Sequence, residues 1–422
     1  MTFSYWAHEA NIRDLADPLA AFRDRFYRKS GEIYLDGNSL GLLSTNAEAC
    51  VLRVLNEWKT LGIGGWTDAG KPWYTLSESL SESLAPLVGA DTDEVIITGS
   101  TTANLHQLLA TLYEPGAGRE AILMDALSFP SDIFAAQSFL RGRGLDSATH
   151  LHRVQSRNGR TVETGDIIAA LETGAYCLAV LPSVIYMSGQ LLDMARITEA
   201  ARANGTIIGW DLSHSVGTIP HDLSGIGADF AFWCSYKYLN AGPGAVGGLY
   251  LNRRHFDKSV GLAGWWGSHK ETQFAMTHNF APATGAGALQ VGTPHLLSLA
   301  PLEGALRITH EAGIHAIRAK SLALTAFLRD TLAARFGFDF ATPESDDQRG
   351  GHLAVIHPDA ARISRALRRA QVMPDFRPPD ILRLAPVALY TSFGDCVEAM
   401  ARLSTILETR SYLSDEGSEL VP

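Results

Sequence analysis

Along the middle of the chain, apolar residues recur in short unbroken runs, each bounded by polar or glycine-rich sequence. "EVIIT" (Glu94–Thr98), "AILMD" (Ala121–Asp125), "CLAVLP" (Cys177–Pro182), "TIIGWD" (Thr206–Asp211), "DFAFWCS" (Asp229–Ser235) and "AVGGLYL" (Ala245–Leu251) have the length and continuity of strands covered on both faces of a sheet. Between them the apolar spacing becomes helical, as in "TTANLHQLLATLY" and "LLDMARITEAARANG", the second closed by Gly205 as a helix stop. This alternation predicts βα units and an α/β fold built on a doubly wound, mostly parallel sheet. "AVGGLYL" comes straight after a tight Gly/Pro turn and is the candidate for antiparallel pairing with its predecessor.

From about Pro301 the pattern changes. "EGALRITHEAGIHAIRAKSLALTAFLRDTLAARFG" reads as one long helical segment. After it come "HLAVIHP", an Arg-rich helix near Ala360–Gln371, a Pro-rich turn "RPPD", then "ILRLAP" and a last helix near Phe393–Glu408. This is the pattern of a smaller α+β domain. The first fifty residues carry no obvious core of their own and are expected to join it. The expected division is 50–300 for the large domain, and 1–49 with 301–422 for the small one.

Composition narrows the function classes. Of 422 residues, 46% are hydrophobic and 19% charged, enough apolar material for a sizeable core and against disorder. A formal net charge of −10 without basic blocks argues against nucleic acid or an anionic membrane as a partner. No run of about 18 apolar residues occurs, so no membrane span is expected. Cys50, Cys177, Cys234 and Cys396 are scattered, without C-x-x-C spacing, and read as buried free thiols. The N-terminus lacks a basic stretch followed by an apolar run, so a cytoplasmic protein is expected.

In an open α/β sheet, ligands bind beyond the carboxyl ends of the strands. After "EVIIT" stands "GSTTANL", a glycine followed by Ser100, Thr101 and Thr102 at a helix start. Free N–H groups and hydroxyls there suit a phosphate, or else make an ordinary N-cap. After "AILMD" stands "ALSFPSD", where Phe129 offers a flat face and Asp132 a carboxylate, or where Pro130 and Ser131 simply make a turn. "TIIGWDLSHSVG" ends a strand in Asp211, with His214 three residues on. An Asp at that place is desolvated unless a cationic partner, a metal or a structural hydrogen bond serves it. No third metal ligand has familiar spacing, so no metal is expected.

One strand later, "WCSYKYLNAGPGAVGG" places Lys237 between two tyrosines in apolar, Gly-rich surroundings. An ammonium there loses hydration and becomes available as an amine nucleophile, or it is merely a paired lysine. Taken jointly, a hydroxyl-rich helix start, an Asp ending one strand and a Lys ending the next meet the needs of pyridoxal phosphate. The phosphate needs the helix, the pyridinium nitrogen the carboxylate, and the aldehyde a lysine for its Schiff base.

"LDGNSLG" (Leu35–Gly41), "FPSD" (Phe129–Asp132), "WDLSHSVG" (Trp210–Gly217), "FWCSYKYLNAGPG" (Phe232–Gly244), "GWWG" (Gly264–Gly267) and "LRLAPVALYTSF" (Leu382–Phe393) together resemble the kynureninase family. The similarity runs from about Tyr34 to near the C-terminus. It implies a fold-type I pyridoxal-phosphate enzyme, normally a homodimer with shared active sites. The activity implied is hydrolysis of L-kynurenine to anthranilate and L-alanine, in tryptophan breakdown or NAD biosynthesis. By the same resemblance, Lys237 is the Schiff-base lysine and Asp211 pairs the pyridine nitrogen, with His214 close by. Thr101, Thr102 and Tyr236 hold the phosphate, Tyr236 serving also as a proton relay. Trp265 and Thr293 reach the phosphate from the partner subunit. Phe129, in the Pro130–Ser131–Asp132 turn, stacks on the ring. Arg383 clamps the substrate carboxylate, and Asn38 and Ser39 sit beside the substrate.

Two departures matter. Where some members carry Ser or Thr, this chain aligns Pro182, with Ser183 beside it. Trp66 and Thr293 in the aryl pocket resemble the bacterial type, which favours unhydroxylated kynurenine over its 3-hydroxy form. Rival readings are another enzyme of the same fold, such as a cysteine desulfurase or aminotransferase, and a non-catalytic ligand sensor. A desulfurase needs a nucleophilic Cys on a mobile loop, whereas Cys396 lies in a helical pattern.

Overall fold

In the computed structural model, which describes residues 3–116, 118–414 and 417, the strands in chain order are as follows. They are β1 (Ile33–Tyr34), β2 (Val95–Ile97), β3 (Ala121–Asp125), β4 (Leu151–Val154), β5 (Tyr176–Pro182), β6 (Ile207–Asp211) and β7 (Phe230–Cys234). Then follow β8 (Gly247–Leu251), β9 (Asp339–Phe340), β10 (Leu353–Ile356), β11 (Val372–Met373), β12 (Asp375–Arg377) and β13 (Ile381–Leu384). The main sheet has seven strands in the order β2-β8-β7-β6-β5-β3-β4. Only β8 runs antiparallel to its neighbours β2 and β7, as the Gly/Pro turn before it predicts.

The unbroken apolar runs have a simple cause. Successive side chains point to opposite faces of a strand, and both faces are covered. Ala179, Leu181, Ile208 and Trp210 enter one core, with Leu84, Leu302 and Leu306. Leu178, Val180, Phe230 and Phe232 enter the other, with Leu105, Leu108 and Ala136. The apolar pattern does not predict β4. It lies at the sheet edge, where His152 and Arg153 face solvent, so its apolar run is broken.

The long segment after residue 300 is two helices, Leu296–Ala312 and Ile314–Phe336, rather than one. Gly313 separates them with φ +79°, a left-handed conformation that glycine adopts without a Cβ penalty. A second sheet, β12-β13-β10-β9, is antiparallel throughout. The helices Ala360–Arg369 and Phe393–Thr409 cover it, and Trp6, Ala10, Ile33 and Leu35 from the N-terminal segment pack into the same core. The Phe393–Thr409 helix opens with a Ser392/Asp395 capping box, and Arg23 binds Asp395 across the junction.

The N-terminal segment also touches the main sheet's functional edge. Gly41 donates its N–H to the Tyr236 carbonyl at 2.7 Å. A Cβ at residue 41 would lie 2.4 Å from the Lys237 carbonyl oxygen and 2.3 Å from Asn240 Oδ1. Gly41→Ala is therefore expected to destabilise the fold by about 1–3 kcal/mol through overpacking. At Gly70 an added methyl would meet nothing within 4 Å, and Gly70→Ala should stay within about 0.5 kcal/mol of wild type. Denaturation midpoints of the two variants check this, and equal midpoints would contradict it.

Candidate active site

Four strand ends bring the chemistry together. Strand β6 ends in Asp211 and pairs in parallel with β7, Asp211 standing opposite Phe232. The chain leaves β7 at Cys234 and reaches Lys237 three residues on, in the loop that returns as β8. Lys237 Nζ lies 2.9 Å from His214 Nε2. Burial, followed by the charges of Lys237 and Arg383, holds the His214 imidazolium far below its ordinary range. The ring is neutral, so Nε2 accepts from the lysine and Nδ1 carries the hydrogen. That Nδ1 is buried and has no hydrogen-bond partner among the described residues.

Two carboxyl groups face this amine. Asp211 Oδ1 accepts the Ser213 N–H at 2.8 Å. Asp132, at the start of the helix Pro130–Gly142 after β3, is hydrogen-bonded to Asp211. Burial raises both from their ordinary value, Asp132 the more strongly because Asp211 raises it further, while Lys237 opposes the rise in each. Two like charges so close cannot both ionise. Asp132 keeps the proton and donates it in the bond, leaving the charge on Asp211.

Aromatic rings wall the group. The Phe129 ring centroid is 5.9 Å from Lys237 Nζ, and so is that of Tyr236. Phe129 leaves 44% of its surface exposed, unusual for a phenylalanine between buried strands. Burial, helped by Cys234, pushes the Tyr236 phenol up, so it stays protonated and able to donate. Tyr186 sits edge-on to Phe129 at 5.2 Å.

An anion position adjoins the rings. The helix Thr101–Leu112 starts directly after β2, with Ser100 as its cap and Gly99 turned to φ +56°. Free N–H groups at such a start favour negative charge. Thr102 Oγ1 meets Ser131 Oγ at 2.6 Å, so hydroxyls from two helix starts converge. Pro130, the first residue of the second helix, is pre-set for that place. Pro182 ends β5 within the sheet, and the buried Ser183 hydroxyl donates to the Asp211 carbonyl at 2.9 Å, a contact to backbone rather than into the site.

Arg383, on β13, is 1% exposed. It donates to the Tyr186 carbonyl at 2.6 Å, to Ser39 Oγ at 3.3 Å and to Asp375. Burial lowers it to about 10. Asn38 is fully buried, and both polar atoms of its side chain lack a hydrogen-bond partner among the described residues. Sequence reasoning missed Asp375, Arg377, Tyr186 and His352, whose ring is 6.0 Å from that of His214.

The three remaining expected residues stand on other segments of the chain. Trp66 and Trp265 both pack on Trp266, at 5.3 and 5.5 Å. Trp265 remains 43% exposed. Thr293 is exposed and borders a cavity of about 230 Å³ beside Thr98 and Gly99. Among the described residues no His/Cys/Asp/Glu group could hold a metal ion. Cys396 is wholly buried in the last long helix, where burial pushes its thiol up, unlike a loop nucleophile.

The arrangement can thus hold an anion at two helix starts, a flat ring against Phe129, a cationic ring nitrogen at Asp211 and a carbonyl carbon at Lys237. Comparison with known proteins points the same way. Solved structures of like fold include the apo cysteine desulfurase from Thermococcus onnurineus NA1, with TM-score 0.75 and 16% identity, covering 93% of this chain and 97% of that one. Another is a C-DES mutant with glycine covalently linked to its PLP cofactor, with TM-score 0.78, 18% identity and coverages of 90% and 98%. These establish the fold, that of fold-type I enzymes. Residues 317–403 match the model of the kynureninase C-terminal domain. The kynureninase of Geobacillus thermodenitrificans is 53% identical over 402 residues, covering 94% of each chain. That of Bacillus anthracis is 51% identical over 411 residues, covering 97% of this chain and 96% of its own. Similarity of that degree over nearly the whole length leaves one conclusion: the chain belongs to the kynureninase family.

Proposed function

We propose that this protein is a pyridoxal-phosphate enzyme that hydrolyses L-kynurenine, with one water, to anthranilate and L-alanine. The observation that carries the reading is the Lys237–His214 contact at 2.9 Å beside the Asp132–Asp211 pair, in a member of this family. The donor set fits the cofactor: Lys237 Nζ stands beside both His214, whose Nδ1 is orphaned among the described residues, and the exposed Phe129 ring, and the Ser131 hydroxyl, paired with that of Thr102, lies two residues along the chain from Phe129. When bound, the cofactor supplies an aldehyde that links to amines and a ring that stores the electron pair released at the substrate α-carbon.

The chain's own groups divide the remaining work. Thr101 and Thr102, with Ser131, hold the phosphate. Asp211 keeps the ring nitrogen protonated, and Asp132 fixes Asp211. Neutral His214 accepts a hydrogen bond from Lys237 and so fixes the direction of its side chain. Lys237 Nζ takes the α-proton. Tyr236, held protonated, delivers a proton toward the ketone oxygen as water adds to the ketone carbon. When the Cβ–Cγ bond then breaks, its electron pair stays with Cβ, which takes up a proton to become the methyl of L-alanine, and the ketone carbon leaves as the carboxyl of anthranilate. Arg383, with Ser39 and Asn38, receives the α-carboxylate. Trp66 and Thr293 form the aryl pocket, which favours the substrate without a ring hydroxyl.

The enzyme is a homodimer whose site needs both chains. Support comes from the exposed apolar side chains of Trp265, Met276 and Phe280 around a cavity of about 530 Å³, with the exposed Phe274 ring 5.6 Å from that of Trp265. Among the described residues no helix is long and apolar enough to cross a membrane, and all four cysteines are free and buried. Both observations fit a cytoplasmic enzyme.

Loaded with pyridoxal phosphate, the protein should release anthranilate, read by fluorescence, and an equal amount of L-alanine from L-kynurenine. No anthranilate would refute the reading. Lys237→Ala should abolish turnover, and normal turnover in that variant would remove its assignment. Asp211→Asn should fold and bind the cofactor but lose about 100-fold or more in rate, since a neutral amide cannot hold the ring nitrogen's proton. A near-normal rate would make Asp211 structural. Lys237→Ala and Trp265→Ala, each inactive alone, should recover activity when their subunits are mixed. A fully active monomer by light scattering would contradict the shared site.

A further inference from the structure

Strands β12 and β13 form a hairpin around the "RPPD" turn, and their register sets Asp375 directly opposite Arg383. Asp375 is fully buried, with 0% of its side chain exposed. Its Oδ2 accepts from Arg383 and, at 2.9 Å, from Ser39 Oγ. Its Oδ1 accepts from Arg377 at 2.8 Å. One carboxylate therefore joins two arginines and the Ser39 hydroxyl. Arg383 has another fixed contact, to the Tyr186 carbonyl, while its Nε is buried with no hydrogen-bond partner among the described residues.

The charge count is informative. Arg377 and Arg383 share one aspartate, so the trio keeps an uncompensated positive charge. Asp36 adds a nearby carboxyl, but Arg368 lies 3.8 Å from it, so three arginines face two aspartates and the excess of one positive charge remains. A buried excess cation with a free guanidinium N–H is costly unless an anion completes it. A single aspartate fixes the guanidinium plane without satisfying its charge.

We propose that Asp375 is a positioning residue that holds Arg383 ready for the substrate carboxylate. Gripping one side of the fork, it leaves Nε to the incoming anion and keeps the guanidinium from turning to another partner. Arg377 anchors Asp375 from the far side. Selection between substrates with and without a carboxylate is set by this trio and not by Arg383 alone. The inference rests on the reading that Arg383 receives the α-carboxylate of L-kynurenine.

The test compares L-kynurenine with its decarboxylated amine, measured as a competitive inhibitor, in wild type, Asp375→Asn and Arg377→Gln holoenzymes. In Asp375→Asn, KM for L-kynurenine should rise about tenfold or more, with a smaller fall in kcat. The inhibition constant of the decarboxylated amine should hardly move, so preference for the carboxylate shrinks by a similar factor. Arg377→Gln, at a partly exposed residue, should shift the same ratio in the same direction by less. A folded Asp375→Asn protein whose ratio is unchanged would overturn the proposal. If that variant does not fold, an unchanged ratio in Arg377→Gln would overturn it. A wild type that does not hydrolyse L-kynurenine would instead remove the functional reading beneath it.

Discussion

The contact between Lys237 and a neutral His214, beside an aspartate pair that keeps one negative charge, is the constraint on which the rest of the site depends. An amine, an imidazole and two carboxyls are brought together with little water to solvate them. Such a group is tolerable only if each charge is met and each hydrogen bond is aimed. Parallel pairing of β6 with β7 puts Asp211 and the Lys237 loop at the same sheet edge. The helix start after β3 brings Asp132 to the pair. Gly41 then closes the N-terminal segment onto the lysine loop at a distance no side chain would permit. Both cores of the main sheet thus serve one purpose, to hold strand ends in fixed register.

A second charge cluster lies on the smaller sheet, and Tyr186 joins the two. Its carbonyl takes a hydrogen bond from Arg383, while its ring stands against Phe129 and 6.4 Å from His214. The segment after β5 therefore couples the position of the carboxylate receptor to the wall of the lysine pocket. His352, from the smaller sheet's side, approaches His214 as well. Both imidazoles are held far below their ordinary range, by burial first and by nearby cations next. Neither adds positive charge beside Lys237 and Arg383.

Much of this was legible in the sequence for a physical reason. Strands covered on both faces must be apolar throughout, so Asp211 and Lys237 stood out as polar residues at the ends of such runs. Edge strands escape that logic, and β4 was missed because His152 and Arg153 face water. The break at Gly313 was hidden because a lone glycine inside a helical pattern is tolerated as often as it turns the chain. Asp375 and Arg377 were overlooked for a different reason. Their roles come from cross-strand pairing, which no periodicity within one segment reveals. A signal did exist: antiparallel pairing about the "RPPD" turn brings Asp375 opposite Arg383. For Trp66 and Trp265, resemblance supplied the expectation, and within one chain their rings pack on Trp266.

The central claim is that one amine, placed by β7 and shielded by His214, carries the covalent chemistry. Borohydride reduction of the protein loaded with pyridoxal phosphate, followed by peptide mapping, tests it most directly. The account predicts a single cofactor adduct, on the peptide bearing Lys237. An adduct on any of the other six lysines in the chain, or none at all, would contradict it.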